Sequence, residues 1–167
     1  VAAGNDAYFQ RFPMRRTKGP DGRERLELMS GWSAYENLPQ GERLIGANVV
    51  GLIRGSDPAL RDEAVVVAAH FDHLGIGAPD AEGDSIYNGA DDDASGVVAV
   101  LEIARALSKG PPPRRTVVFL AATGEEQGLL GTRWYIQNPV VPMRRTVANL
   151  CIEMIGRPDP LAGGPGR

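Results

Sequence analysis

Residues 63–70 read Glu-Ala-Val-Val-Val-Ala-Ala-His, an apolar run that ends on a histidine. Two later runs end on acidic residues: 115–126, Arg-Thr-Val-Val-Phe-Leu-Ala-Ala-Thr-Gly-Glu-Glu, and 147–153, Val-Ala-Asn-Leu-Cys-Ile-Glu. Between the first two stands Asn-Gly-Ala-Asp-Asp-Asp-Ala-Ser-Gly at residues 88–96. If the runs are neighbouring parallel strands, their carboxyl ends share the sheet edge at which open α/β sheets bind ligands. One imidazole and several carboxylates would meet there, which favours a divalent-metal hydrolase.

The composition is that of an ordinary globular domain. Of 167 residues, 43% are hydrophobic and 23% are charged, which is enough for one domain with a buried core. The net charge of -3 disfavours nucleic-acid and anionic-membrane partners, because there is no excess of positive charge to pair with phosphates. The single cysteine, Cys151, excludes a disulfide framework and a Cys-rich zinc site.

No apolar stretch reaches the roughly 20 residues that span a bilayer, and no signal peptide is visible. A chain that begins at Val1 is nevertheless expected to be a processed or excised piece.

The sequence pattern divides the chain into three parts. Residues 1–45 are predicted to form N-terminal edge strands and a loop, residues 46–157 the core, and residues 158–167 a flexible tail. The turn signal at residues 18–22 divides residues 8–30 into two short runs, which are predicted to form a peripheral hairpin or a pair of edge strands. Pro13 cannot donate a hydrogen bond to a sheet ladder, which favours an edge strand for its run. The mixed, polar residues 31–44 are predicted to be loop.

Two helices and a further strand are predicted within the core. Residues 47–53 are predicted to be a buried strand. From Ser95 to Lys109 the apolar residues recur at helical spacing, and this helix would join two parallel strands in a right-handed crossover. A second, short helix is predicted over about residues 129–137. The apolar stripe of the first helix consists of Val97, Val100, Leu101, Ala104 and Leu107.

The histidine that ends the first run is followed closely by a carboxylate. Asp72 could accept a hydrogen bond from the ring nitrogen of His70 that faces away from a metal, as partners of ligating histidines usually do. The alternative is a strand-end histidine that is bonded to a nearby carboxylate and binds no metal. His73 is predicted to be a solvated loop histidine rather than a ligand.

The acidic candidates also have ordinary structural explanations. Residues 91–93 could cap a helix or complement its dipole, Glu125 and Glu126 could form a solvated turn, and Glu153 could be a salt-bridged strand end. Metal chemistry gives carboxylates two tasks: one binds the cation, and an unbound neighbour moves a proton from water to the leaving amine. Without a cation, carboxylates packed in one crevice would stay partly protonated, because like charges disfavour ionisation. The cluster therefore favours a bound metal.

Four blocks in this order resemble those of peptidase family M28, a family of co-catalytic di-zinc aminopeptidases and relatives. The blocks are residues 70–73, 89–96, 124–128 and 149–157, and the resemblance covers about residues 46–157. It implies a three-layer α/β/α sandwich around a mixed, mainly parallel central sheet, which would be incomplete in this chain.

The resemblance also implies a role for each candidate residue. His70 would bind the first zinc, Asp92 would bridge both zincs, and Glu126 would bind the second. Glu125 would be the general base, and Asp72 would orient His70. The peptide bond after Asp92 would be cis. The implied reaction is hydrolysis of the N-terminal peptide bond of peptides with a free N-terminus.

Two departures from the family pattern bear on activity. Glu153 stands where the family usually has Asp, and we retain it as a metal ligand. The histidine that the second zinc needs from a later strand is absent, and neither His70 nor His73 is expected to replace it. We therefore predict a catalytic domain that is truncated at its C-terminus and has an incomplete second zinc site. Such a chain would bind at most one zinc tightly, would show little or no activity alone, and would self-associate through an exposed sheet edge.

Two other functions stay open. The first is a non-catalytic relative that acts as a binding or scaffold domain, which the presence of Glu125 beside the ligands disfavours. The second is a related co-catalytic zinc carboxypeptidase or deacylase, in which Glu at position 153 is commoner, although residues 89–96 disfavour it. The resemblance also favours a periplasmic or extracellular location.

Overall fold

A computed structural model describes residues 7–157 of the chain. The predicted flexible tail, residues 158–167, lies outside the described residues. In chain order the strands and α-helices are β1 (Phe9–Lys18), β2 (Glu24–Leu28), α1 (Trp32–Glu36), β3 (Arg43–Ile53), β4 (Ala64–His70), β5 (Gly75–Ile76), β6 (Ile86–Tyr87), α2 (Gly96–Lys109), β7 (Thr116–Ala122), α3 (Leu130–Gln137) and β8 (Thr146–Cys151). A π-helical turn, Ala90–Ser95, leads directly into α2.

Six of these strands form one mixed sheet in the order β2-β1-β3-β7-β4-β8, and β5 pairs with β6 in a separate ribbon. Strands β7, β4 and β8 are parallel neighbours, with His70 opposite Ala122 and Ala68 opposite Cys151. The three apolar runs are therefore neighbouring parallel strands, as predicted. The pairings β1–β2, β1–β3 and β3–β7 are antiparallel, so the expectation of a mainly parallel sheet holds only for the three strands that end at the predicted site.

Helices cover both faces of the parallel part of the sheet. Successive side chains of a strand point to opposite faces, so an apolar run can supply two cores at once. Val66 of β4 belongs to a buried cluster with Tyr135 of α3. The next residue, Val67, belongs to a second cluster with Phe119 of β7 and Val100 of α2. The α/β fold with a helix layer on each face of the sheet confirms the predicted fold class.

The N-terminal part differs from its prediction in two respects. Residues 31–44 are not all loop, because α1 and a short 3-10 turn, Gln40–Glu42, lie within them. Strands β1 and β2 form the predicted peripheral hairpin, but β1 is not at the edge, since β2 and β3 flank it. Pro13 is tolerated there because it lies just before the residues that pair with β2, and its carbonyl oxygen still accepts a hydrogen bond from the N–H of Met29 at 3.0 Å.

Two apolar segments are less buried than their patterns predict. Val49 and Leu52 of β3 are 36% and 50% exposed. The buried clusters beneath α2 and α3 are built from β4 and β7 and take only partly buried residues from β3. Leu101 of α2 is 62% exposed, because it lies about 100° around the helix from the buried Val100.

The outer strand β8 borders solvent. Within the described part of the chain, β8 has a strand neighbour only on its β4 side, and its Val147 and Leu150 are 52% and 50% exposed. Self-association through this edge stays a prediction. No helix among residues 7–157 is long and apolar enough to cross a membrane.

Asn48 of β3 is a fully buried polar side chain that connects β1, the residue after β7 and the first turn of α3. Its Nδ2 donates to Gln10 Oε1 at 3.0 Å and to the carbonyl oxygen of Gly131 at 2.8 Å, and its Oδ1 accepts from the N–H of Thr123 at 3.2 Å. Asn48→Ala should lower the free energy of unfolding by about 2–4 kcal/mol, because buried backbone groups lose their partners. Urea unfolding measures the change. The control is Asn37→Ala, which removes an exposed amide and should cost under about 1 kcal/mol; equal losses in the two variants would contradict the assignment.

Candidate metal centre

The predicted site residues lie at the carboxyl edge of β7, β4 and β8. His70 is the last residue of β4, the turn before α2 carries Asp92, and Glu125 and Glu126 follow β7. Glu153 follows β8. Because parallel strands end at the same edge of a sheet, segments that are distant in sequence become neighbours there.

His70 is 4% exposed, and each of its ring nitrogens has an oxygen nearby. Nδ1 lies 2.9 Å from the backbone carbonyl oxygen of Asp72, and Nε2 lies 3.0 Å from Asp92 Oδ1. A proton on Nδ1 that is donated to the carbonyl leaves the lone pair of Nε2 facing Asp92. Burial lowers the pKa of His70, but the Asp72 carbonyl and the nearby carboxylates outweigh it and raise the pKa above its ordinary value.

The group that orients His70 is the backbone of Asp72 rather than the predicted carboxylate. Asp72 Oδ1 lies 3.8 Å from His70 Nδ1, which is too far for a hydrogen bond. The carboxylate instead accepts a hydrogen bond from the backbone N–H of Glu125 at 3.2 Å. The chain turns directly after β4, which brings the carbonyl oxygen to the ring and the side chain to the segment after β7. Asp72 therefore contacts both the histidine and the backbone of Glu125.

His73, predicted to be a solvated loop histidine, belongs to the cluster. Its side chain is 21% exposed, and its Nδ1 lies 2.7 Å from Glu126 Oε1 and 3.9 Å from Asp92 Oδ2. The prediction that His73 is solvated was wrong, because the turn after β4 directs this residue toward the segment before α2. The pair of histidines three residues apart is the signal in the sequence that could have indicated it.

The three consecutive aspartates have three different surroundings. Asp91 accepts a hydrogen bond from the N–H of Gly156 at 2.8 Å. Asp92 turns one oxygen toward each histidine. Asp93 is buried, and the peptide bond that joins it to Asp92 is cis, as the resemblance implies. Asp92 is thus the member of the triplet whose carboxylate lies between the two imidazoles.

Asp93 is a structural residue of the site that the sequence did not single out. It is 1% exposed, and its oxygens accept hydrogen bonds from three backbone N–H groups. These belong to His70 at 3.1 Å, Gly96 at 3.1 Å and Met154 at 3.3 Å. The bond to Gly96 is of the helix-capping kind that was the structural alternative for the triplet. Asp93 thereby joins the end of β4, the start of α2 and the segment after β8.

Glu125 and Glu153 lie beside the cluster. Burial raises the pKa of the Glu125 carboxyl, and His70 opposes the shift. The carboxylates of Glu126 and Glu153 add to the increase. Glu153 is exposed, and its Oε1 accepts a hydrogen bond from Cys151 Sγ at 3.1 Å. In the described part of the chain, the possible ligand atoms that lie within 4.8 Å of one another belong to His73, Asp92 and Glu126, and Glu153 is not among them.

Two buried atoms in the cluster, His73 Nδ1 and Glu126 Oε1, lie 2.7 Å apart as an ion pair, and neither has another hydrogen-bond partner among residues 7–157. An imidazole nitrogen and a carboxylate oxygen that turn lone pairs toward the same space repel each other unless a proton or a cation lies between them. The possible ligand atoms of His73, Asp92 and Glu126 all lie within 4.8 Å of one another. One nitrogen and two carboxylate oxygens are ligands that zinc binds, so these residues fit a zinc ion.

Comparison with known sequences agrees with this geometry. The profile of peptidase family M28 matches residues 48–162. A "Probable zinc metalloprotease" of Pyrenophora teres f. teres (strain 0-1) is 34% identical over 130 residues, which are 75% of this chain and 27% of that protein. A "Vacuolar membrane protease" of Tuber melanosporum (strain Mel28) is 32% identical over 110 residues, which are 63% of this chain and 10% of that protein.

Comparison with solved structures gives the same relationship. The aminopeptidase from Aneurinibacillus sp. strain AM-1 superposes with a TM-score of 0.57 at 26% identity, over 71% of this chain and 26% of that one. The chain thus spans less than a third of each of these three proteins. The family match includes every strand that ends at the cluster and all of its possible ligands, and the chain accordingly belongs to peptidase family M28.

Proposed function

We propose that the chain is the zinc-binding part of an exopeptidase that removes the N-terminal residue of peptides. Zinc is its cofactor. The observation that supports the proposal best is the cluster of His70, His73, Asp92 and Glu126 with the carboxyl group of Glu125 beside it. The resemblance favours a periplasmic or extracellular location, which stays a prediction.

The zinc ligands are proposed from the contacts at the sheet edge. His70 Nε2 and Asp92 Oδ1 lie 3.0 Å apart and would share one position, and Asp92 Oδ2 and Glu126 would hold the second. Glu153 remains a proposed ligand of the first position. When bound, zinc supplies Lewis acidity for the attacking water and the scissile carbonyl group.

Glu125 is the proposed general base. Partial burial raises the pKa of its carboxyl toward neutrality, where a general base is most effective. The carboxylate takes a proton from the attacking water and passes it to the leaving amine. The backbone N–H of Glu125 donates to Asp72 Oδ1 at 3.2 Å, so Asp72 positions the base as well as His70.

A cavity of about 430 Å³ beside the cluster offers room for a substrate side chain. Phe71 and His73 line it at the cluster, and Met14, Leu26 and Ile45 form an apolar wall. Apolar walls with a few polar groups are typical of small-molecule sites. We infer that the first residue of the substrate is apolar and that carboxylates of the cluster bind its free amine.

Hydrolysis of leucyl p-nitroanilide tests the proposal. Because little activity is predicted for the chain alone, we expect it to release nitroaniline only slowly, to lose this residual activity with a zinc chelator and to regain it with added zinc. N-acetylation of the substrate should lower kcat/KM about 10–100-fold, because losing a charged hydrogen bond costs roughly 1.5–3 kcal/mol. Equal rates on both substrates would contradict removal of N-terminal residues. Release of C-terminal residues from a peptide would support the carboxypeptidase alternative.

A further inference from the structure

We propose that a cavity at the amino edge of the sheet binds a small molecule that carries a phosphate group next to an apolar group. The cavity has a volume of about 380 Å³, which lies within the range of small-molecule sites. It is found where β4 and β7 begin and where β3 ends. Strand β4 spans 7 residues, so this edge is about 20 Å from the metal cluster at the other end of the same strand.

Four arginines from three segments of the chain line the cavity. Arg54 follows β3, and Arg61 lies in the turn before β4. Arg144 and Arg145 belong to the 3-10 turn Met143–Arg145, which leads into β8. Because β4 and β8 are parallel neighbours, the loops that precede them meet at the same edge of the sheet. The whole chain has a net charge of -3, so this group of positive charges is a local feature.

Two further arginines at the same edge already have acidic partners. Arg114 Nη2 donates to Asp57 Oδ2 at 2.8 Å, and Arg115 Nε donates to Glu63 Oε2 at 2.7 Å. These two carboxylates come from the turn before β4, which also carries one of the cavity arginines. The carboxylates of this turn that lie closest to β7 are therefore paired with arginines outside the cavity.

The arginines of the cavity are almost free of acidic partners. Among residues 7–157, no carboxylate forms an ion pair with Arg61, Arg144 or Arg145. Arg54 has a single weak contact, from Nη2 to Asp62 Oδ1 at 3.7 Å, and both of these side chains are more than two-thirds exposed. Guanidinium groups around one cavity repel each other, and a bound anion would offset this repulsion.

The charge and geometry of the lining favour a phosphate over a carboxylate. A guanidinium presents its N–H groups as a planar fork that matches the oxygens of either group. A carboxylate has one charge and two oxygens, whereas a phosphate monoester has a charge of about -1.5 to -2 and three strong acceptor oxygens. Four arginines and one aspartate line the cavity, so the group with more charge and more oxygens neutralises the lining better.

The remaining wall of the cavity is apolar. Leu52 and Val140 belong to this wall and are 50% and 46% exposed. Val141 also lines the cavity and packs against the buried cluster that contains Tyr135, so the wall is fixed to the core of the fold. An apolar wall beside a few charged groups is typical of a site for a small organic molecule. The apolar part of the ligand would cover this wall while its phosphate contacts the arginines.

Isothermal titration calorimetry with phenyl phosphate tests the proposal. We expect one phenyl phosphate to bind per chain. Inorganic phosphate lacks the phenyl group and should bind at least about tenfold more weakly, because it leaves the apolar wall exposed. Benzoate offers fewer charged hydrogen bonds and should also bind at least about tenfold more weakly. Equal affinities for benzoate and phenyl phosphate would overturn the choice of a phosphate ligand.

Two substitutions in the lining should change the affinity for phenyl phosphate in opposite directions. Arg144→Gln should weaken binding by about 10–100-fold, because a charged hydrogen bond is lost. Asp62→Asn should strengthen binding, because it removes a negative charge and the contact that holds Arg54. Arg23→Gln is the matched control, since Arg23 is exposed, lies outside the cavity and has no acidic partner in the described residues. Equal affinities in Arg144→Gln and Arg23→Gln would overturn the site.

Backbone amide NMR distinguishes this cavity from the metal cluster, because phosphate oxygens also bind metal ions. Phenyl phosphate should shift the amide signals of residues 52–62 and 141–146. Shifts that are confined to the surroundings of His70 and Glu126 would place the phosphate at the metal cluster and overturn the proposal. Removal of zinc should leave binding at the cavity unchanged, so this site and the proposed zinc site can fail independently.

Discussion

Glu125→Gln is expected to lower kcat for leucyl p-nitroanilide by about 10²–10⁴-fold and to leave the zinc content unchanged. The amide has the size of the carboxylate but cannot take a proton from water. Glu125 lies outside the group of ligand atoms formed by His73, Asp92 and Glu126, so its replacement should not release zinc. Steady-state kinetics and zinc analysis on the same preparation measure both quantities.

The control for this variant is Glu82→Gln, the same substitution at an exposed position outside the cluster. Its kcat should equal that of the unsubstituted chain. A Glu125→Gln chain with undiminished kcat would show that the base lies elsewhere. A Glu125→Gln chain that has lost zinc would make Glu125 a ligand rather than the base.

Asp93→Ala is expected to lower the free energy of unfolding by about 3–5 kcal/mol, because three backbone N–H groups lose their acceptor and two of these hydrogen bonds are buried. These N–H groups belong to His70, Gly96 and Met154, so the substitution disconnects β4, α2 and the segment after β8. Zinc affinity should fall as well, since the backbone of His70 is no longer held. Urea unfolding and zinc titration measure the two effects.

A milder substitution and an exposed control complete this test. Asp93→Asn retains one oxygen and should cost less than Asp93→Ala, which keeps the test informative if the alanine variant does not fold. Asp84→Ala removes an exposed carboxylate that accepts a single backbone hydrogen bond, from Ile86, and should cost under about 1 kcal/mol. An Asp93→Ala chain as stable as the Asp84→Ala chain would contradict the structural role of Asp93.

The core of the fold could be predicted because its signals are local. The run that ends at His70 is apolar at consecutive positions, as expected for a strand buried on both faces, and β4 does lie between two parallel strands and two helix layers. The change to helical spacing after Ser95 predicts α2 in the same way. The position of β1 inside the sheet could not be predicted. Pro13 lacks a backbone N–H at one residue only, and this does not indicate which strands flank the other residues of β1.

The candidate site was predicted in its residue types and less well in its contacts. The approach of His70 and Asp92 follows from the parallel strands that end at one edge. The use of the Asp72 carbonyl and the burial of Asp93 depend on how short segments turn, over a few ångströms, after the strands end. Residue type does not encode such turns, so neighbouring aspartates with the same chemistry have different tasks.

The sequence alone was enough to predict the fold class and the three strands that end at the site, because both depend on the periodicity of apolar residues. It was also enough to predict the divalent-metal chemistry of that sheet edge, because this depends on the donor atoms that the side chains carry. Which atoms surround each of these donor atoms is decided only by the folded chain. His73 shows the difference: its position three residues after a strand looks solvated, and the turn after β4 brings it to Asp92 and Glu126. Backbone direction in a turn follows from packing between distant segments, which no local pattern records.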